Sequence, residues 1–263
     1  MRMCYSFGAM VTVDDHLEMA EGGFDFLELL IRSADGIGAI EEALDVIGGG
    51  IVHAPERLTV GEWDILLDLA SKDEGIRRAS VNRLNEIGRM LSIHDIPLVV
   101  HPGGVGPRRE KGRVDLLSDS LGKLEGRIWL ENMPSRYHFD TRLLHSNLMT
   151  SPQEFDAVID VIDGIVLDIS HAYLSVPVDG NLRIRSFMDH LGGAIRHVHL
   201  SDARHPDGEG LQILDGDVDF SFLPGLKGLP ILLEVWGGHM DRGRGFRKAL
   251  GTVRSQTFER WFL

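Results

Sequence analysis

A single cysteine, Cys4, stands in 263 residues. No intrachain disulfide is then possible, and the chain suits a reducing cytoplasm. Basic residues are the minority. The 27 lysines and arginines against 40 aspartates and glutamates leave a formal charge of −13, which argues against a broad nucleic-acid surface. Local basic loops are exempt, because phosphate binding depends on them and not on the total. Long apolar stretches are also missing. No run of about 18 apolar residues occurs, so nothing is expected to span a membrane. The opening Met1-Arg2-Met3-Cys4-Tyr5-Ser6-Phe7 has no signal-peptide core. No linker, low-complexity tract or shift in composition interrupts the chain, so one domain over residues 1–263 is expected.

What is present is a globular composition, 43% hydrophobic and 25% charged, with material for a sizeable core. The length is near the roughly 250 residues typical of a (β/α)8 barrel. Eight short apolar runs read as strands, at 3–8, 24–31, 51–53, 97–101, 127–131, 164–170, 195–201 and 229–236. Helical spacing fills the intervals. The helix through Ile40, Leu44 and Ile47 stops at Gly48-Gly49-Gly50, and a longer one covers 74–94. Others are expected over 13–22, 114–124, 181–191 and 242–262. Ser151-Pro152-Gln153-Glu154 is a helix start, with a serine cap, an early proline and an acidic first turn, and the helix is expected to reach Ile162.

Eight strands alternating with helices predict a parallel sheet covered by helices, and at this length a closed barrel. The alternative, a doubly wound open sheet of the dinucleotide-binding kind, lacks its Gly-x-Gly-x-x-Gly after the first strand. Pro102-Gly103-Gly104-Val105-Gly106-Pro107 lacks the lysine and hydroxyl of a phosphate loop and reads as a mobile loop.

The strand-like runs end alike. His53, His101, Glu131, Asp168, His199 and Glu234 each fall at or near the C-terminal end of a different run, and His171 lies just beyond the sixth. In a barrel those ends converge on one mouth, where active sites of the fold sit. A lone strand-end histidine is usually structural. Six residues of metal-ligand type on six strands point instead to a shared site, because a carboxylate leaving the core is costly unless paired or bound to a cation. Three carboxylates and one imidazole make a hard site suited to Mn2+, Mg2+ or Co2+, and adding His53 and His101 moves preference toward Zn2+. His197 shares a face with His199 and reads as a deeper residue. Glu28, in the middle of its run, either lines the pocket or pairs with Arg32. Two basic clusters, Arg108, Arg109, Lys111 and Arg113, then Arg242, Arg244, Arg247 and Lys248, are either solvated charge or a phosphate grip.

Six pieces in order are Val52-His53-Ala54-Pro55, Val99-Val100-His101-Pro102-Gly103, Leu130-Glu131-Asn132-Met133-Pro134, Leu167-Asp168-Ile169-Ser170-His171, His199-Leu200-Ser201-Asp202 and Leu232-Leu233-Glu234. They span all but the first two strands. On them the chain resembles the xylose isomerase-like TIM-barrel superfamily, which holds sugar phosphate isomerases and epimerases and also the endonuclease IV family of abasic-site nucleases. The resemblance implies a (β/α)8 TIM barrel and a divalent metal.

In the epimerase branch it implies one ion on Glu131, Asp168, His199 and Glu234. There the two glutamates pass a proton on and off the carbon beside a sugar carbonyl. His171 and an arginine after strand seven, here Arg204 with a one-residue offset, orient the substrate. In the nuclease branch Glu131 bridges two zinc ions, one of them held by His53 and His101. A third site there uses His171 with an Asp-x-His that this chain lacks, leaving His205 at a different spacing. Glu56 stands where those nucleases carry an intercalating tyrosine, and a carboxylate repels DNA phosphates.

The implied function is thus a metal-dependent (Mn2+, Co2+, Mg2+ or Zn2+) sugar or sugar-phosphate isomerase or epimerase. The alternative is a zinc-dependent abasic-site (AP) endonuclease, under which nucleic acid becomes a partner. A non-catalytic metabolite binder is the third reading, and the intact pair Glu131 and Glu234 speaks against it. No membrane partner is expected.

Overall fold

The computed structural model describes residues 5–20, 22–61, 63–139, 141–175 and 179–255. Met3 and Cys4 of the first expected strand, and 256–262 of the closing helix, lie outside the described residues. Eight strands form the barrel: β1 (Ser6–Thr12), β2 (Phe26–Leu30), β3 (Ile51–His53), β4 (Pro97–Val100), β5 (Arg127–Glu131), β6 (Gly164–Asp168), β7 (Ile195–Leu200) and β8 (Pro230–Leu233). Each pairs in parallel with its sequence neighbours, and β8 pairs with β1 to close the ring. The helices are α1 (His16–Ala20), α2 (Ile37–Ile47), α3 (Glu74–Ser92), α4 (Val114–Leu121), α5 (Ile169–Leu174), α6 (Gly180–Leu191) and α7 (Met240–Arg254). Among the described residues no helix is long and apolar enough to cross a membrane.

The runs look continuously apolar because both faces of the sheet are covered. The pleat nevertheless sorts them. Leu27, Leu29, Val52, Leu98, Val100, Leu130, Leu167, Val198 and Leu233 belong to the core shared with the helices. The alternate positions point into the barrel, where Ile51, Val99 and Val166 form a separate cluster with Phe26 and Trp129 packed against it. Gly8 makes room for that floor: a Cβ there would lie 2.3 Å from the Phe26 ring.

The helices follow their local chemistry. Asp73 caps α3 by accepting from the amides of Gly75 (2.8 Å) and Ile76 (3.2 Å). Gly48 ends α2 in the left-handed region (φ 75°).

Three expectations change. Ser151 and Glu154 do make a capping box, but the chain then forms two 3-10 turns, Pro152–Ala157 and Ile159–Val161, in place of one helix. Val158 (φ −130°) leaves helical space between them, its side chain buried in the core. The sixth strand stops at Asp168, whose carboxylate accepts the backbone amide of His171 and starts α5, so Ser170 and His171 are helical. The glycine-rich stretch after β4 is tied down: Val105–Gly106 pairs with the hairpin of Arg136–Phe139 and Arg142–Ser146, and the Gly104 amide donates to Asp68 at 2.7 Å.

Two more hairpins, Arg57–Val60 with Trp63–Leu66 and Asp202–Arg204 with Gly208–Leu211, come after β3 and β7. All three hairpins therefore leave the C-terminal ends of barrel strands and stand around the mouth.

Candidate metal centre

Glu131 ends β5 with its carboxylate among four imidazoles. Oε1 faces His101 Nε2 at 3.4 Å and His171 Nδ1 at 3.2 Å, while Oε2 faces His53 Nε2 at 3.4 Å and His199 Nδ1 at 3.5 Å. His199 Nδ1 also lies 2.8 Å from Glu234 Oε2. Glu131, Asp168, His199 and Glu234 each offer a ligand atom within 4.8 Å of the others, and so do His53, His101 and Glu131. The structure thus gathers all six strand-end residues into two groups that share Glu131. The side chain of Glu131 is 1% exposed and that of Glu234 27%, so Glu234 is the member reached from the mouth.

The residues present fit a cation. His53 Nδ1–H donates to the Ala54 carbonyl at 2.8 Å, so Nε2, turned to Glu131, is the nitrogen that a neutral imidazole would offer to a cation. Glu131 Oε2, Glu234 Oε2 and His199 Nδ1 are buried without a hydrogen-bond partner. Among the described residues no lysine or arginine pairs with Glu28, Glu131, Asp168, Glu209 or Glu234, whose ionic partners are histidines. Several buried carboxylates without a fixed positive charge are unfavourable unless a cation or protons join them.

The proton affinities carry the same tension. Burial alone would lower that of His53, but Glu131 outweighs it and lifts the imidazole to about 9. Burial works against charge on His171 and His199 too, yet their carboxylate neighbours hold both well above the ordinary histidine range. Burial likewise opposes the Glu131 charge, but His199 and His101 keep that carboxyl well below the usual range. Asp168 and Glu209 are pushed up by burial, to about 6 and about 8. A divalent ion would replace those protons with one fixed charge.

The surrounding residues hold the ligands. Asn132 clamps the ends of β5 and β6 together: its amide donates to the Asp168 carbonyl at 3.0 Å and its oxygen accepts the Asp168 amide at 2.8 Å. His171 Nδ1–H donates to the Asn132 carbonyl at 2.9 Å, which turns Nε2 toward Glu209 Oε2, 3.6 Å away. Glu209 is 4% exposed and is brought in by the hairpin after β7. Sequence reading missed it, since a glycine-rich loop has no period to say where a side chain points. Glu28 is an interior residue. Its carboxylate meets His197 Nε2 at 2.8 Å and His199 Nε2 at 3.2 Å, and Arg32 pairs with Asp14 and Asp35 instead. The signal for it was an acid at an inward position of an apolar run.

Glu56 is an exposed residue at the rim, where it accepts from the Tyr137 hydroxyl at 2.8 Å. Arg204 and His205 are not brought into the group. The Arg204 guanidinium donates to the Asp215 carbonyl at 2.7 Å and faces Asp217 at 3.4 Å, while His205 stacks on Tyr173 with ring centroids 4.8 Å apart. Among the described residues no hydrogen bond or ion pair ties either one to Glu131, Asp168, His199 or Glu234. Several members of the basic clusters have acidic partners: Arg113 with Asp115, Arg244 with Asp241 and Lys248 with Asp215.

A family model described as a xylose isomerase-like TIM barrel matches residues 17–256. No curated protein matches the sequence. Among solved structures, the chain is similar to a D-psicose 3-epimerase determined in the presence of D-fructose, at 14% identity over 95% of this chain and 98% of that one, with a TM-score of 0.58. It is also similar to an AP endonuclease, family 2, from Brucella melitensis, at 15% identity over 88% and 93% of the two chains, with a TM-score of 0.60. At these identities the likeness is one of fold.

Proposed function

The chain belongs to the xylose isomerase-like TIM-barrel family, and from that premise we propose that it is a divalent-metal-dependent isomerase or epimerase of a sugar or sugar phosphate. The observation that carries this reading is the convergence of Glu131 and Glu234 on one imidazole, His199, from strands separated by two others. Glu131, Asp168, His199 and Glu234 would hold the ion, and when bound it supplies Lewis-acid polarisation of a carbonyl.

The remaining chemistry belongs to the side chains. Glu234, open to the mouth, takes or returns the proton on the carbon beside the carbonyl. Glu131 works from the opposite side, one carboxyl serving as base while the other carries the proton. His171 Nε2 and Glu209 Oε2, 3.6 Å apart beside the ligand group, would meet the substrate hydroxyls. Glu56 at the rim adds negative charge, which disfavours a phosphodiester backbone more than a neutral sugar.

One observation favours a second reading. His53 and His101 form their own ligand group with Glu131, which a single-ion isomerase does not require. In a zinc-dependent abasic-site nuclease that group would hold a further ion.

The two readings separate in one experiment. Incubation of the metal-loaded protein with D-fructose, other ketoses and their phosphates in deuterated water should place deuterium beside the carbonyl of a substrate, and His53→Ala should keep much of that exchange. Efficient incision of an abasic-site duplex, lost in His53→Ala, would overturn the isomerase reading in favour of the nuclease.

A further inference from the structure

Beneath the ligand group lies a buried pair that the proposed reaction does not use. Glu28 on β2 and His197 on β7 are both fully buried, and the rings of Phe26 and Trp129 flank His197 with centroids 5.7 and 6.1 Å away. Interior layers of such barrels are dominated by branched apolar side chains. A carboxylate with an imidazole there is unfavourable unless every polar atom is matched, so the proton positions are worth working out.

His197 Nδ1 lies 3.0 Å from the Pro230 carbonyl, which can only accept, so that nitrogen carries a hydrogen. His197 Nε2 lies 2.8 Å from Glu28 Oε2, and one proton occupies that contact whichever of the two atoms bears it. In either case Glu28 Oε1 is left as a bare acceptor. It lies 3.2 Å from His199 Nε2, so the complement it requires is an N–H on that nitrogen. The other nitrogen of His199, Nδ1, is then the one left to offer a lone pair to an ion in the ligand group, 2.8 Å from Glu234 and 3.5 Å from Glu131. A carboxylate behind a metal-binding histidine in this way sets its ring orientation and raises its basicity.

We propose that Glu28, itself held by His197, is a positioning residue that fixes His199 with its hydrogen on Nε2 and its Nδ1 lone pair toward the ion. This rests on the metal-centre reading but not on the choice between isomerase and nuclease. Only the placement of donors and acceptors is involved, so the same tautomer serves whichever divalent ion the site takes.

The test uses Zn2+ and the full chain stripped of metal. Calorimetric titration should show Zn2+ binding weakened about 10-fold in Glu28→Gln, which keeps an acceptor but loses the charge. Glu28→Leu, which loses both, should weaken it by about 100-fold. In the Zn2+-loaded wild type, nitrogen-15 NMR of the imidazoles should show His199 ligating through Nδ1 with a slowly exchanging Nε2–H proton. That proton should shift and exchange faster in Glu28→Gln. Zn2+ binding by Glu28→Gln equal to wild type would overturn the proposal while leaving the metal centre intact. So would ligation through Nε2 in the wild type, a result that needs no variant to fold. Failure of the wild type to take up Zn2+, Mn2+ or Co2+ would overturn the metal centre itself, and the proposal with it.

Discussion

Two positions of strand separate the floor of the barrel from its mouth. Ile51, Val99, Trp129 and Val166 point inward and pack on one another, and His53, His101, Glu131 and Asp168 follow two residues later at the ends of the same four strands, His101 just past its own. Pleat, sheet and neighbours are shared, and only the distance to the strand's end differs. On the floor no side chain opens to the mouth, so a residue there is worth its packing or, for Glu28 and His197, a matched polar contact. At the end of a strand one side opens to the mouth, and polar groups there can be completed by something that enters. His197 and His199 show the boundary within one strand: the lower imidazole is satisfied by Pro230 and Glu28, whereas neither nitrogen of the upper one makes a hydrogen bond, Nε2 lying 3.2 Å from Glu28 and Nδ1 2.8 Å from Glu234.

Breaking the mouth should have the largest functional effect. Glu131→Ala removes the carboxylate common to both ligand groups. Elemental analysis should find the bound ion lost, and proton exchange on the substrate should fall by at least about 10²–10⁴-fold. Folding should survive, because mouth residues of this fold serve chemistry more than stability. Normal metal content in this variant would erase the distinction between the two layers.

Breaking the floor should do the reverse. Ile51→Ala, two positions before His53, deletes buried methyls from a closed cluster and should cost about 2–5 kcal/mol in urea unfolding. Its metal stoichiometry should match wild type. A variant that folds normally but cannot hold the ion would mean that the floor sets ligand geometry as well as packing.

Metal removal sharpens the contrast further. In the wild type, an ion at about 100 times its dissociation constant should add roughly 2.7 kcal/mol to the unfolding free energy, because it binds only the folded chain. Glu131→Ala should show none of that gain, while Ile51→Ala should show all of it from a lower start. Thermal melts with and without added ion read both at once.

The same contrast explains what the sequence revealed. The eight strands could be read because their apolar runs are set by a sheet buried on both faces, and the ligands because those runs stop at polar residues. Glu28 and Glu209 were harder. The first needed the inward register of β2 against β3, where Glu28 sits opposite Ile51, and the second depended on a loop shaped by single long-range hydrogen bonds. The carboxylate of Asp202 gathers the amides of Ala203, Leu214, Gly216 and Val218, and no period in the sequence encodes that. The turn at 152–161 failed differently. Its cap was legible, but the chain leaves helical space at Val158 (φ −130°), which the cap does not foretell.

The smallest effect is expected at Arg204, on the hairpin just beyond the mouth. Its side chain is 56% exposed, and its guanidinium is occupied by the Asp215 carbonyl at 2.7 Å and by Asp217 at 3.4 Å. The loop's shape does not depend on it, because Asp202, buried at its base, collects the four backbone amides that close it. Arg204→Ala therefore loses one exposed ion pair and one surface hydrogen bond, worth about 0.2–1 kcal/mol of stability. With the ketose identified by deuterium exchange, kcat/KM should stay within the same order of magnitude. A loss of tenfold or more, about 1.4 kcal/mol in the transition state, would mean that this guanidinium leaves Asp215 and Asp217 to grip the substrate. The boundary of the reactive layer would then lie beyond the strand ends, out on the hairpin that also delivers Glu209.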